Sequence, residues 1–184
     1  MKGYYKREDL TAETIDAEGW FHTGDIGELI AGKFLKITDR KKEIFKTAGG
    51  KYVAPQLLEN KYKESVLIEQ IMVLGENRKF PSALIVPNFS ALKAWCEKKE
   101  ISYSTNAEMI KNPLVLEKYN QEIARGSVEF GKWEQVKRFA LLTREWNIEE
   151  GELSPKLSLK RKVILEKNKE IIERLYKEAE DYKS

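Results

Sequence analysis

Short apolar runs between turn residues indicate buried strands in the middle of the chain. Ile68 to Leu74 and Ala83 to Val86 are bounded by Gly75-Glu76-Asn77 and Pro87-Asn88. Runs of this length with turn residues at both ends are typical of strands that are covered on both faces. Phe139-Ala140-Leu141-Leu142 is a further candidate strand.

Helices are predicted around these strands from apolar residues at helical spacing. Pro55 suits a first helical turn, and Asn112-Pro113 is typical of a cap followed by a first-turn proline. From Val163 onward we expect one charged helix. The residues expected to point inward are Leu58, Tyr62 and Val66; Leu92, Trp95 and Cys96; Leu116, Tyr119 and Ile123; and Ile164, Leu165, Ile171, Ile172, Leu175 and Tyr176.

The first 40 residues differ from the rest because they are rich in Gly, Asp and Thr. Leu29-Ile30 and Phe34 to Thr38 flank the turn Ala31-Gly32-Lys33, which predicts a β-hairpin. A two-stranded ribbon is not stable by itself, so we expect this section to be the edge of something larger. The predicted fold class is α+β, with a partial β element before the main domain.

Composition excludes several classes of protein. Among 184 residues, 33 Lys and Arg against 30 Asp and Glu give a net charge of +3, which does not indicate a nucleic-acid tail. One cysteine and one histidine cannot form an internal disulfide or a Cys/His metal cluster. The chain contains neither an apolar run of membrane-spanning length nor the pattern of a signal peptide at its start, so a cytoplasmic location is the expectation.

Two charged residues lie in segments that could contact a nucleotide. Asp25 ends the Gly-bounded turn Gly-Trp-Phe-His-Thr-Gly-Asp, where a carboxylate could accept hydrogen bonds from both hydroxyls of a ribose. Arg40, in Asp-Arg-Lys-Lys-Glu, could fork onto a phosphate or sugar. The alternatives are a loop aspartate that satisfies its own backbone and a solvated connection between elements.

Two further segments carry weaker signals. Gly49-Gly50 could let the backbone approach a ligand, although a tight hairpin turn explains the pair equally well. The basic stretch from Gly151 to Lys162 could hold an anion such as a phosphate or carboxylate. A soluble lysine-rich loop before a helix is the alternative.

The order and spacing of four segments resemble the adenylate-forming superfamily, and most of all its long-chain fatty acyl-CoA synthetases. The segments are Gly-Trp-Phe-His-Thr-Gly-Asp (19–25), Ile-Thr-Asp-Arg-Lys-Lys-Glu-Ile-Phe-Lys (37–46), Gly-Gly-Lys-Tyr-Val-Ala-Pro (49–55) and Glu-Leu-Ser-Pro-Lys-Leu-Ser-Leu-Lys-Arg-Lys (152–162). The resemblance runs through essentially the whole chain. It implies that a fatty acid and ATP form an acyl-adenylate with release of pyrophosphate, and that coenzyme A then displaces AMP.

The resemblance also implies a domain organisation. Residues 1–40 would be the C-terminal edge of a large AMP-binding domain and its linker. Residues 41–184 would be the small C-terminal domain, with a short β-sheet or hairpin flanked by helices, which swings between two poses, one for each half-reaction.

Site residues follow from the same resemblance. Asp25 and Arg40 would bind the nucleotide, and Lys42 would be the hinge of the small domain. Gly49 and Gly50 would line the path of coenzyme A. Lys160 would be the catalytic lysine, whose ammonium stabilises negative charge between the acyl carboxylate and the α-phosphate.

The lysine-rich segment departs from the family pattern. The family's long-chain branch usually has Thr-Pro-Thr-x-Lys-x-Lys-Arg, whereas this chain has Ser154-Pro155-Lys156-Leu157-Ser158-Leu159-Lys160-Arg161. One lysine of the pattern is therefore a serine, and Lys156 and Lys162 are rivals to Lys160. His22 and Cys96 are assigned no chemistry.

Two motifs of the family do not occur in the 184 residues: the Ser/Thr/Gly-rich phosphate loop and the aromatic-Gly-x-Thr-Glu adenine motif. We therefore expect this chain to be the C-terminal portion of a synthetase and to be inactive alone, with any Mg²⁺ site outside it. The whole enzyme could associate peripherally with a membrane. The alternatives are a free-standing nucleotide- or CoA-binding regulatory module and, poorly supported by the net charge, a nucleic-acid binder using Lys156 to Lys162 with Trp133 and Trp146.

Overall fold

The computed structural model of the chain describes residues 1–181 and divides it into two compact units, Met1–Ile44 and Phe45–Ser184. Within the described residues there are seven helices and seven strands. In chain order they are α1 (Glu8–Thr14), β1 (Asp25–Ile30), β2 (Phe34–Arg40), β3 (Phe45–Lys46), β4 (Tyr52–Val53), α2 (Pro55–Tyr62), β5 (Ile68–Leu74), β6 (Ser82–Pro87), α3 (Phe89–Lys98), α4 (Asn106–Met109), α5 (Pro113–Gly126), β7 (Arg138–Leu141), α6 (Arg161–Lys167) and α7 (Lys169–Asp181). The fold is α+β, as predicted.

The first unit is built around the predicted hairpin. β1 and β2 pair antiparallel, with Ile30 opposite Phe34 at the turn and Asp25 opposite Arg40 at the open end. Ala31 and Gly32 both have positive φ at the turn, which is the conformation that a tight hairpin requires. The register places two predicted site residues on neighbouring strands.

The second unit contains a three-stranded sheet in the order β5-β6-β7. β5 and β6 are antiparallel, and β6 and β7 are parallel. Alternate residues of β5 and β6 enter two different cores: Ile71 and Val73 pack on one face, and Met72 and Leu74 on the other. The apolar runs are therefore covered on both faces, as the sequence indicated.

Helices cover both faces of this sheet. The first core includes residues of α2, α3 and α5, among them Leu58, Leu92 and Tyr119. The second core includes Ile164 of α6 and Tyr176 of α7. The predicted cap of α5 is confirmed, because the Asn112 side chain accepts a hydrogen bond from the Leu114 N–H at 2.9 Å.

Two helix predictions were wrong in detail. α2 ends at Tyr62 because the chain turns over residues 63–67 into β5, and Val66 is exposed rather than buried. The single charged helix expected from Val163 is two helices that break at Asn168, whose side chain donates to the Ile164 carbonyl at 2.8 Å. Leu165 and, on α5, Leu116 are exposed although both were expected to point inward, whereas Ile172 and Tyr176 are buried as predicted.

Candidate functional site

The two residues predicted to bind the nucleotide lie together in the first unit. Asp25 begins β1, Arg40 ends β2, and the Arg40 Nε lies 2.8 Å from the Asp25 Oδ1. Gly24, at φ +75, makes the turn that precedes Asp25, and the Thr23 hydroxyl accepts from the Asp25 N–H at 3.1 Å. The structure therefore brings one carboxylate and one guanidinium to the same end of the hairpin.

The Asp25 carboxylate retains capacity to accept hydrogen bonds. Its Oδ1 is buried, lies 2.8 Å from the Arg40 Nε, and has no hydrogen-bond partner among the described residues. An acceptor in this position fits a ligand that brings hydroxyl donors. His22, in contrast, lies 3.1 Å from the Asp16 Oδ2 and belongs to the local loop.

Lys42 lies in the short connection between β2 and β3, two residues before the end of the first unit. The N–H groups of Glu43 and Ile44 both donate to the Arg40 carbonyl, and the Lys41 N–H donates to the Gly24 carbonyl at 2.8 Å. The Lys42 side chain is exposed. Lys42 belongs to neither hydrophobic core, so it lies in a segment where backbone dihedrals can change without disrupting a core.

Gly49 and Gly50 form the turn of the small β3–β4 hairpin. The Gly50 N–H donates to the Thr47 carbonyl at 2.9 Å, and Gly50 has φ +78. The Ala48 N–H donates to the Arg78 carbonyl, which ties the turn to the β5–β6 connection. The hairpin-turn interpretation of the glycine pair is therefore correct for Gly50, and any contact with a ligand is additional to it.

The predicted catalytic lysine follows a second hairpin, residues 153–159, which we call the lysine hairpin. Its base is a bridge between Leu153 and Leu159, and the Ser154 N–H donates to the Ser158 carbonyl. Lys156 lies in the exposed tip, and Lys160 follows the base and precedes α6. Lys160 and Lys162 are both exposed, so the side chains of all three rival lysines are accessible to solvent.

The backbone at Lys160 is fixed on both sides. The Lys160 N–H donates to the Glu152 carbonyl at 2.8 Å. On the other side, the Arg161 guanidinium donates through Nη1 to Glu59 at 2.8 Å and through Nη2 to the Val73 carbonyl at 2.6 Å. The lysine therefore has a rigid base and an exposed head.

Glu59 is a buried carboxylate in α2 that faces the open edge of β5. Its Oε1 accepts from the Val73 N–H at 2.7 Å as well as from Arg161. Burial raises the pKa of Glu59, and the Arg161 charge and the two hydrogen bonds oppose that rise. Glu59 and Arg161 together satisfy both backbone groups of Val73 on an edge that no other strand pairs within residues 1–181.

A second buried carboxylate supports the start of the lysine hairpin. Glu152 is 1% exposed and accepts two hydrogen bonds from Arg144, at 2.8 and 2.9 Å. Burial acts to raise the pKa of Glu152, but the Arg144 guanidinium, the Asn147 N–H and Lys167 together hold it below its ordinary value. Glu152 is therefore an ionised anchor beside the segment that carries the lysines.

Sequence reasoning missed these anchors. Leu58 and Tyr62 already marked the inward face of α2, and Glu59 lies next to that face, one residue after Leu58 and three before Tyr62. A carboxylate on an apolar face is a signal of a buried ion pair, because an unpaired buried charge would be too costly. Its partner Arg161 is 102 positions away and could not be found from spacing alone.

Most of the chain matches a known family model. Residues 42–180 match the AMP-binding enzyme C-terminal domain. The chain belongs to this family. The matched range includes the glycine turn, the lysine hairpin and both buried carboxylates.

Curated relatives are long-chain-fatty-acid–CoA ligases, which confirms the predicted resemblance. Ligase 6 of Homo sapiens is 39% identical over 179 residues, covering 96% of this chain and 26% of the relative. Ligase FadD15 of Mycobacterium tuberculosis is 33% identical over 177 residues, covering 96% of this chain and 29% of the relative. The chain thus spans about a quarter of the length of these relatives.

Solved structures support the same fold. The adenylation domain of a carboxylate reductase from Mycobacterium chelonae has a TM-score of 0.75 and 30% identity, covering 95% of this chain and 26% of that one. A carboxylic acid reductase didomain from Segniliparus rugosus, in complex with AMP, has a TM-score of 0.78 and 28% identity, covering 98% of this chain and 24% of that one. The α+β architecture is therefore that of adenylate-forming enzymes.

Among the side chains that the structure describes, no three or more His, Cys, Asp or Glu residues are arranged to hold a metal ion. No helix in the described part of the chain is both long and apolar enough to cross a bilayer.

Proposed function

We propose that this chain is the C-terminal part of a long-chain fatty acyl-CoA synthetase and supplies its catalytic lysine, Lys160. The observation that carries the proposal is the family match over residues 42–180 together with the anchored position of Lys160. The 39% identity with a long-chain-fatty-acid–CoA ligase supports fatty acid, ATP and coenzyme A as substrates.

In the first proposed half-reaction, the fatty-acid carboxylate attacks the α-phosphorus of ATP and pyrophosphate leaves. Negative charge concentrates where the two anions meet, and the ammonium of Lys160 is proposed to lie against it. An exposed lysine head on a rigid base suits this role, because the charge is delivered without reorganisation of the backbone. In the second half-reaction, the thiol of coenzyme A attacks the acyl carbonyl and AMP leaves.

The other predicted residues take supporting roles in this proposal. The Asp25 carboxylate would accept hydrogen bonds from the ribose hydroxyls, with Arg40 beside it facing the sugar or phosphate. Lys42 would change its backbone dihedrals between the half-reactions. Gly49 and Gly50 would line the path of coenzyme A. Mg²⁺, which the resemblance implies for the whole enzyme, has no fitting ligand set in the described residues.

A chimera tests the proposal. The chain replaces the matching C-terminal region of the human ligase relative, and palmitate-dependent acyl-CoA formation is measured. We expect activity from the chimera, loss of most of it in K160A, and no palmitate-dependent pyrophosphate exchange from the isolated chain. Activity that survives K160A but is lost in K156A or K162A would move the catalytic role to that lysine. Pyrophosphate exchange by the isolated chain would overturn the proposal that it is only the C-terminal part of a synthetase. Binding of ATP or coenzyme A by the isolated chain without turnover would favour a regulatory module.

A further inference from the structure

The base of Lys160 is held by an ion pair that reaches it from another element of the second unit. Arg161, the next residue, is mostly buried and forks between Glu59 of α2 and the Val73 carbonyl of β5. A change at Glu59 therefore affects the Arg161 guanidinium that it binds, and through the backbone of Arg161 it affects the position of Lys160.

The buried position of the Arg161 guanidinium depends on Glu59 more than on the Val73 carbonyl. A carbonyl accepts from the guanidinium but does not neutralise it, whereas the Glu59 carboxylate does both. Because burial makes an unpaired guanidinium costly, Arg161 without its carboxylate would turn outward to water. The backbone at residues 160 and 161 would then be less restrained, with the Lys160 N–H still donating to the Glu152 carbonyl.

We propose that Glu59 is a positioning residue for Lys160, acting through Arg161 to hold the base of the lysine still. The catalytic side of this inference rests on the proposed function. The lysine head is exposed and forms no ion pair within the part of the chain that the structure describes, so its placement depends on its backbone. A displacement of about 1 Å of a positioned group can lower a rate by about 100-fold.

A purely structural role for Glu59 predicts a different outcome. In that case its loss lowers stability like the loss of any buried ion pair, without a specific effect at position 160. Glu122 of α5 provides the matched control: it is also buried, and it pairs with Lys118 at 2.8 Å and Arg125 at 2.5 Å. It has no contact with Arg161 among the interactions of the described residues.

The first experiment measures mobility at position 160 in the chain itself. A nitroxide spin label is attached to the cysteine of the K160C variant. Because Cys96 is buried, the label reacts at position 160. We expect E59Q to increase the mobile component of the spectrum and E122Q to leave it unchanged, with folding checked by circular dichroism. R161K, which keeps the charge but cannot fork, serves as a second variant if E59Q does not fold. Equal spectra for E59Q and the parent, or an equal increase in E122Q, would overturn the proposal.

The second experiment measures adenylate formation by the chimera. We expect E59Q to lower kcat by about 10- to 100-fold, with the KM values for ATP and palmitate changed by less than about twofold. E122Q should retain the parent kcat. An unchanged kcat in E59Q, when K160A abolishes adenylation, would overturn the inference alone. Full activity in K160A would instead overturn the proposed function, and the spin-label result would still decide whether Glu59 fixes position 160.

Discussion

Glu59 and Arg161 are 102 positions apart in sequence and 2.8 Å apart in the folded chain. Both contact Val73, one through its N–H and the other through its carbonyl. The pair joins α2, the edge of β5 and the start of α6, and so connects the sheet to the residue that follows the lysine hairpin.

Removal of one partner of this ion pair should cost much stability. E59A leaves the Arg161 guanidinium and the Val73 N–H without their acceptor, and we expect the free energy of unfolding to fall by about 3–5 kcal/mol. Urea denaturation of the chain measures this loss. A change below about 1 kcal/mol would show that the pair is not the anchor described.

The Glu152 carboxylate should make stability depend on pH. Its folded pKa lies below its ordinary value, so the folded state binds fewer protons than the unfolded state in the acidic range. The contribution is complete above the unfolded pKa of about 4.3 and is lost as the pH falls through the folded pKa. Denaturation at several pH values should show a smaller loss of stability below about pH 4.3 for E152Q than for the parent. An identical dependence of the free energy of unfolding on pH in the two proteins would contradict the lowered pKa of Glu152.

The glycine turn offers a matched pair of substitutions. Gly50 has φ +78, so G50A is expected to destabilise the chain by about 1–2 kcal/mol. Gly49 has no positive φ, and a Cβ there would meet only the Thr47 hydroxyl at 4.0 Å, so G49A should be close to neutral. Thermal denaturation compares the two. Equal effects would contradict the conformational distinction between them.

Asp25 should affect nucleotide binding more than stability. The pair with Arg40 lies on a partly exposed hairpin, and such pairs contribute about 0–1 kcal/mol. In the chimera we expect D25N to raise the KM for ATP by roughly tenfold, the effect of about 1.4 kcal/mol. E28Q, which removes the exposed Glu28–Lys36 pair of the same hairpin, is the control and should leave the KM unchanged.

The parts of the fold that depend on local sequence could be predicted. The β1–β2 hairpin, the apolar strands and the Asn112 cap each follow from residues within a few positions of one another. The end of α2 and the break at Asn168 could not, because tertiary packing decides where a helix stops. Asp25 and Arg40 were predicted as candidate site residues from motifs, and their contact follows from the register of β1 and β2.

The anchors of Lys160 were beyond sequence reasoning for a different reason. The position of Glu59 on the apolar face of α2 hints at burial, but only the folded chain identifies Arg161 as its partner and shows that Glu152 is buried and paired with Arg144. The role of Lys160 itself remains a prediction from the resemblance, with Lys156 and Lys162 as its rivals.

The most direct test of the central claim separates the two half-reactions in the chimera. Palmitate-dependent ATP–pyrophosphate exchange reports the first, and release of AMP from preformed palmitoyl-adenylate by coenzyme A reports the second. The account predicts that K160A lowers exchange by about 100-fold or more, because one positioned charge in the transition state is lost, and leaves thioester formation within a few fold of the parent. Exchange at the parent rate in K160A would contradict it.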